Sequence, residues 1–267
     1  MTETAQARLY AEVAGSGAPV VLVHSGLCDS RMWDSQWEVL QREHTVVRCD
    51  LRGFGRTPLW PGDYSHPADL IDLLDELRLG PAALVGASLG GGVSLQVAVA
   101  RPDLVSALVL IGSGVRGHEW SEYVTSAWAA EEAALARGDL DAAVETSLRA
   151  WVDGPRRSPG DVDAAVRQRV ADMYRHALEV SREGEARANE TTLLDDVVDR
   201  LAEISVPTLV IAGEYDVPDV HQVAERLERE LPDVRRATIA GTAHFPSLER
   251  PDEVNAIVVE FLRTVGR

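Results

Sequence analysis

The stretch Leu84-Val85-Gly86-Ala87-Ser88-Leu89-Gly90-Gly91-Gly92 determines how the rest of the chain is interpreted. The apolar run Ala82 to Val85 predicts a buried strand, and the apolar residues after the glycines predict a helix. Gly86 and Gly90 each lie two residues from Ser88, and small residues at these positions allow a sharp turn between strand and helix. Such a turn holds the serine hydroxyl above the carboxyl end of the sheet. We therefore predict that Ser88 is a nucleophile, with a plain glycine-rich turn as the alternative.

A serine hydroxyl reacts only when a base takes its proton, and that base needs a third group to orient it. His244 follows the last predicted strand, which would bring it to the carboxyl end of the sheet, and it is the predicted base. Asp216 follows the preceding predicted strand and is the predicted acid. Asp219 is the alternative acid, although an aspartate at that position more often caps the following helix.

The oxygen of a carbonyl group attacked by Ser88 becomes negatively charged and needs two N–H donors, an oxyanion hole. The backbone N–H of Leu89 opens the predicted helix and supplies one. The other is expected from the loop after an earlier strand, where Gly26 lets the backbone approach closely and Leu27 is the second choice. His24, in the same loop, is predicted to be a structural hydrogen-bonding residue. Asp50 and its neighbours Arg52 and Gly53 are likewise predicted to brace a loop.

Apolar runs and helical spacing alternate along most of the chain with short connections, which favours a doubly wound, mostly parallel β-sheet of the α/β class. The predicted strands are Ala7 to Ala14 (an antiparallel edge), Pro19 to His24, Thr45 to Asp50, Ala82 to Val85, Val105 to Ile111, Pro207 to Ala212 and Val234 to Ala240. Later helices are predicted at Thr192 to Ile204, Val217 to Leu231 and Asp252 to Val265.

Residues 113–189 break this alternation and are predicted to form an inserted cap of about four helices, leaving residues 1–112 and 190–267 as the core. The insertion follows a sheet strand, where it would cover the mouth of the site. Trp120 and Trp128 lie within it and, with Leu27, are predicted to line a substrate pocket. Alternatively, the tryptophans simply pack the cap helices onto one another.

The composition limits the classes of partner. A formal net charge of −17 argues against nucleic acid or an anionic membrane as a partner, because phosphate groups would be repelled. All 26 basic residues are arginines, so no lysine is present to form a Schiff base. The chain has no apolar run long enough to span a membrane and no signal peptide at residues 1–6, so a cytoplasmic protein is expected. Cys28 and Cys49 suggest neither a disulfide nor a metal site, and oligomeric state is left open.

Five motifs in this order resemble the α/β-hydrolase fold with a serine nucleophile: His24-Ser25-Gly26, Asp50-Leu51-Arg52-Gly53-Phe54-Gly55, Gly86-Ala87-Ser88-Leu89-Gly90, Gly213-Glu214-Tyr215-Asp216 and Gly241-Thr242-Ala243-His244. The resemblance covers the chain outside the cap. The stretch Ser30-Arg31-Met32-Trp33-Asp34 and the overall size are similar to the branch that contains 3-oxoadipate enol-lactonases and small esterases.

This resemblance implies a serine hydrolase that cleaves a small carboxylic ester or lactone through an acyl-enzyme on Ser88, without metal or organic cofactor. The fold hosts many chemistries, so alternatives stay open. A carbon–carbon bond hydrolase or an acyltransferase could use the same three residues. A non-catalytic receptor on this fold would instead bind a small acyl-like ligand without turning it over.

Overall fold

The computed structural model describes residues 8–184 and 187–265. Its strands are β1 (Tyr10–Gly15), β2 (Ala18–Val23), β3 (His44–Asp50), β4 (Gly62–Tyr64), β5 (Ala82–Ala87), β6 (Val105–Ile111), β7 (Ala188–Glu190), β8 (Thr208–Gly213) and β9 (Val234–Ile239). Its α-helices are α1 (Asp34–Leu40), α2 (His66–Leu77), α3 (Leu89–Ala100), α4 (Glu122–Ala136), α5 (Leu140–Ser147), α6 (Ala164–Gly184), α7 (Pro218–Glu230), α8 (Pro246–Glu249) and α9 (Pro251–Val265).

Within the residues that the structure describes, the main sheet has seven strands in the order β1-β3-β2-β5-β6-β8-β9. Of these described strands only β1 runs antiparallel, pairing with β3 at the edge, so the predicted doubly wound, mostly parallel sheet is confirmed. The predicted edge strand begins at Ala7, which lies outside the described residues, as does the N-terminal stretch before it.

Helices cover both faces of the sheet, which explains why its central strands are continuous apolar runs rather than alternating ones. In β2, Val20 and Leu22 pack into one hydrophobic core, whereas Val21 and Val23 pack into a second core on the opposite face. Parallel strands joined by helices end at the same edge, so the loops after β2, β5, β6, β8 and β9 meet there.

Cys28 and Cys49 are buried free thiols, and burial raises the pKa of Cys49 to about 12. They therefore pack as small apolar side chains. Within the described residues, no helix is both long enough and apolar enough to cross a membrane.

The predicted helix from Thr192 to Ile204 is wrong, because two short 3-10 turns, Val197–Asp199 and Leu201–Glu203, occupy this stretch. Apart from the local bonds within these turns, its backbone bonds to distant parts of the chain. The Leu194 N–H donates to Gln96 Oε1 (3.3 Å), and the Val198 N–H donates to the Arg116 carbonyl (3.1 Å). The apolar residues that suggested helical spacing are nevertheless buried against the core.

The segment between β6 and β8 also differs from the expected four helices. Its described residues form three α-helices, α4 to α6, and a turn of π-helix at Leu148–Asp153, here called the π-turn, which continues directly from α5. Near its end, β7 pairs in parallel with β4 to form a second, two-stranded sheet that the sequence did not predict. β7 spans the predicted boundary between residues 189 and 190 and ties the insertion to the core.

Candidate active site

Ser88 sits at a sharp turn between β5 and α3 with φ 50° and ψ −110°, a backbone conformation that residues other than glycine rarely adopt. The glycines around it are required by close backbone approach. A Cβ on Gly86 would lie 2.4 Å from the Gly90 carbonyl oxygen, and one on Gly90 would lie 2.2 Å from the Val23 carbonyl oxygen. The Ser88 N–H donates to the Ile111 carbonyl (2.9 Å), which fixes the turn against β6.

His244 and Asp216 are in direct contact at the ends of β9 and β8. Nδ1 of His244 lies 3.0 Å from both carboxylate oxygens of Asp216, and both residues are buried. Oδ1 of Asp216 also accepts a hydrogen bond from the Val217 N–H (2.8 Å), which holds the carboxylate in place. With Nδ1–H donating to the carboxylate, Nε2 is the nitrogen left to accept a proton.

Asp219, the alternative acid, has other partners. Its carboxylate accepts hydrogen bonds from the N–H (2.6 Å) and the hydroxyl (2.7 Å) of Ser121, and it lies 3.6 Å from Nε2 of His118. Asp219 therefore fastens the start of α4 to the core instead of orienting His244.

The two backbone segments proposed to form the oxyanion hole lie side by side. A Cβ on Gly26 would make ordinary contact with the Leu89 side chain at 3.7 Å, and both residues line a cavity together with Ser88. The Leu27 N–H lies 3.5 Å from the Ser25 hydroxyl, whereas the Gly26 N–H has no acceptor among the described residues. The Gly26 N–H is thus the freer of the two candidates.

His24 holds two loops together, as its sequence position suggested. Nε2 accepts a hydrogen bond from the Leu51 N–H (2.9 Å), and Nδ1 lies 2.8 Å from the Ser25 carbonyl, to which it donates. Burial lowers the pKa of His24, so the ring stays neutral and can accept that bond.

Asp50 braces its loop by accepting from the backbone N–H groups of Ser30 (2.7 Å) and Arg56 (2.9 Å). Arg52 braces the same region with a different partner, since it forms a two-pronged ion pair with Asp69 (2.6 and 2.8 Å).

A cavity of about 360 Å³ opens beside Ser88 and His244. Leu27, Trp120 and Trp128 line it, where the sequence predicted a pocket, and so does Trp151 of the π-turn. The tryptophan rings also touch one another, with centroids 5.4 Å apart for Trp120 and Trp128, and the Trp151 ring lies 4.6 Å from that of His244. The tryptophans therefore both line the cavity and pack the cap.

Polar residues that the sequence did not single out complete the lining: His66, Gln96, Arg116, Glu190, Thr191 and Thr192. His66 Nε2 and Glu190 Oε1 lie 3.9 Å apart, because the pairing of β4 with β7 brings residues 64–66 beside residue 190. That pairing carries no local sequence signal, so these residues could not be found in advance. No group of three or more His, Cys, Asp or Glu side chains in the described part of the chain is arranged to hold a metal ion.

Fold and site together define a class. The model of the α/β hydrolase fold family matches residues 18–251, and the chain belongs to that family. It is an α/β-hydrolase enzyme, as the five motifs indicated, and its relatives include enol-lactonases, as the stretch from Ser30 to Asp34 and the overall size suggested.

Three proteins illustrate the similarity. "Putative carbamate hydrolase RutD" of Pseudomonas savastanoi is 31% identical over 255 residues, covering 92% of this chain and 94% of its own. "3-oxoadipate enol-lactonase 1" of Acinetobacter baylyi is 25% identical, covering 93% and 90%. The structure of a thermophilic esterase from Thermogutta terrifontis superimposes with a TM-score of 0.79 at 28% identity, covering 97% and 94%.

Proposed function

We propose that this chain is a serine hydrolase that cleaves a small carboxylic ester or lactone through an acyl-enzyme on Ser88. The observation that carries the proposal is that Ser88, His244 and the two segments of the expected oxyanion hole lie around one cavity. Ser88 occupies a strained turn, His244 lines the same cavity with its Nδ1 on Asp216, and Gly26 and Leu89 present backbone beside them.

The chemistry follows from these positions. The Ser88 hydroxyl attacks the carbonyl carbon while Nε2 of His244 takes its proton, and Asp216 stabilises the imidazolium that forms. The N–H groups of Gly26 and Leu89 stabilise the oxyanion. His244 then gives the proton to the leaving oxygen, and water, activated by the same nitrogen, clears the acyl group from Ser88.

The substrate class is supported by the cavity and by the relatives. A volume of about 360 Å³ suits a small ligand, and the tryptophan wall suits an apolar acyl chain or ring. The similar proteins are named for a carbamate, an enol-lactone and an ester, all of which present an acyl carbon to a nucleophile.

The test compares Ser88→Ala with a control variant, Ser113→Ala. Ser113 is a buried serine that follows β6. We expect Ser88→Ala to abolish turnover of p-nitrophenyl esters and lactones and to abolish covalent labelling by a fluorophosphonate. Ser113→Ala should retain labelling. Appreciable activity in folded Ser88→Ala protein would refute the assignment of Ser88 as the nucleophile.

The same panel separates the alternatives. Turnover of vinylogous diketones in preference to esters would indicate a carbon–carbon bond hydrolase, and ester formation with added alcohol would indicate an acyltransferase. A wild-type protein that binds acyl-like ligands but is neither labelled nor active would be a receptor.

A further inference from the structure

A buried ion pair lies beside the loop that carries His244. Arg157, in the cap segment after the π-turn, pairs with Glu249 of α8 at 2.5 and 3.2 Å. Only 6% of the Arg157 side chain and 8% of the Glu249 side chain are exposed. Taking two charges out of water is costly unless their geometry is good and their other polar atoms are satisfied.

The remaining N–H groups of Arg157 are satisfied by three backbone carbonyls. Nε donates to Asp153 (3.0 Å) and Nη2 to Val152 (2.6 Å), both in the π-turn. Nη1 donates to Gly241 (2.9 Å), which opens the loop from 241 to 244. One planar guanidinium thus joins the cap, the histidine loop and α8, a geometry that the point charge of a lysine cannot reproduce.

Glu249 completes the connection to His244. Its Oε1 accepts a hydrogen bond from the N–H of Ala243 (2.9 Å), the residue directly before the histidine. The His244 N–H lies 3.4 Å from the Trp151 carbonyl of the π-turn. Arg157, Glu249 and the π-turn therefore hold the loop at Gly241, Ala243 and His244. Residues after β8 hold the start of the loop as well, since the Gly241 N–H donates to Glu214 Oε2 (2.8 Å) and the Tyr215 N–H donates to the Thr242 carbonyl (2.8 Å).

The π-turn is also held by ion pairs within the cap that do not involve Arg157. The carboxylate of Asp153 is already paired with Arg149 (2.8 Å) and Arg167 (3.0 Å), both within the cap. The distinctive contribution of Arg157 is the contact it makes across to the histidine loop.

We infer that Arg157, through Glu249 and Gly241, is a positioning residue that holds His244 at the distance from Ser88 that proton transfer requires. This inference rests on the proposed function, since it gives His244 the role of base. The cap would then help to position the base, in addition to lining the pocket. Misplacing a reacting group by about 1 Å can cost roughly 100-fold in rate.

The experiment measures the rate constant with which a small fluorophosphonate labels Ser88. In that reaction the serine oxygen bonds to phosphorus, fluoride leaves and His244 takes the proton, so the rate reports the base without requiring the substrate pocket. We expect Arg157→Gln and Glu249→Gln to slow labelling at least about tenfold. On p-nitrophenyl acetate, kcat should fall by a similar factor with KM little changed. Free guanidinium at millimolar concentration should restore part of the rate to Arg157→Ala.

Arg149→Gln is the matched control, because it removes an ion pair from the same turn but leaves Asp153 bound to Arg167. It should label at nearly the wild-type rate. Folded Arg157→Gln protein that labels like wild type would overturn the inference, as would equal slowing by Arg149→Gln. Failure of both Arg157→Gln and Glu249→Gln to fold would assign the pair to stability and also overturn it. A wild-type protein that fluorophosphonate does not label would instead refute the proposed function.

Discussion

Ser88 is held in its strained conformation by backbone atoms that leave no room for side chains beside it. Gly90 packs against the carbonyls of Val23 and His24, and Gly91 packs against the Ser113 hydroxyl, whereas Gly92 has its nearest neighbour, the Gly114 carbonyl, at 3.4 Å from a built Cβ. Three successive glycines therefore tolerate a methyl group very differently.

We predict that Gly90→Ala destabilises the protein by about 3 kcal/mol, the upper end of the usual cost of overpacking, because its Cβ would meet the Val23 carbonyl oxygen at 2.2 Å and the main chain must move. Gly92 lies two residues further along α3, and a Cβ there would make only ordinary contact with the Gly114 carbonyl oxygen at 3.4 Å. Gly92→Ala should therefore change stability by no more than about 1 kcal/mol, with better helix propensity acting to raise it. Urea denaturation of both variants checks this. Equal stability of the two would show that the contact at Gly90 is relieved without cost.

His66 provides a pH-dependent prediction. It is 4% exposed, and burial, with smaller effects of the nearby His24 and Arg52, lowers its pKa to about 3. As pH falls below 6.5, His66 binds a proton in the unfolded chain, whereas in the folded chain it binds one only near pH 3. The free energy of unfolding therefore decreases as pH falls through this window. The loss should approach roughly 1.4 kcal/mol per pH unit.

The comparison is between wild type and His66→Gln, whose side chain does not titrate. Because the other titrating groups are common to both proteins, the stability difference between them isolates residue 66. Wild type should lose stability relative to the variant from pH 6.5 downward, as measured by urea denaturation at each pH. Parallel pH profiles would mean that folded His66 protonates freely.

Some residues of the site could be predicted and others could not. The contact of Asp216 with His244 follows from chain order and from the meeting of parallel strand ends at one edge. Arg157 has no such signal, since it lies in a Gly- and Pro-rich break and its partner Glu249 is 92 residues away.

At the scale of elements, the cap owes its position to contacts that helical periodicity cannot report. The strand predictions succeeded because buried parallel strands are continuous apolar runs bounded by turns. The stretch from Thr192 to Ile204 has apolar residues at helical spacing, yet the N–H groups of Leu194 and Val198 bond to Gln96 and Arg116. Long-range hydrogen bonds overrode local propensity there, as they did where β4 and β7 pair.

The cap tryptophans differ in burial, so their contributions to stability and to substrate specificity can be tested separately. Trp151 is 7% exposed and Trp128 is 41% exposed, although both line the cavity. Trp151→Ala should therefore lower stability by roughly 3–5 kcal/mol, as for a large core truncation. Trp128→Ala should cost much less stability but shift the preferred acyl chain towards longer or bulkier groups, because it opens the wall.

The measurements are thermal denaturation and kcat/KM across a series of p-nitrophenyl esters from acetate to octanoate. Trp120→Ala, in contact with both other rings, is expected to show both effects. An unchanged ranking of esters in Trp128→Ala would remove that residue from the substrate pocket and leave it a packing role.

For the whole molecule, the dominant electrostatic feature is the formal net charge of −17. A field of this sign repels anionic substrates at long range and is screened by salt over about 10 Å at 0.1 M. The charged residues that line the cavity, Arg116 and Glu190, have opposite signs. Arg116 is also paired with Asp195 at 3.2 Å, so its local attraction for an anion is reduced.

We therefore predict that kcat/KM for an ester with a carboxylate on its acyl chain rises several-fold when ionic strength increases from low to physiological, since screening removes the repulsion. A neutral ester of the same length should be nearly insensitive to salt and serves as the control. Arg116→Gln distinguishes the long-range field from local attraction. If kcat/KM for the anionic ester falls with salt in wild type but not in this variant, the guanidinium outweighs the net charge. In that case the cavity would favour acidic substrates despite the acidic surface around it.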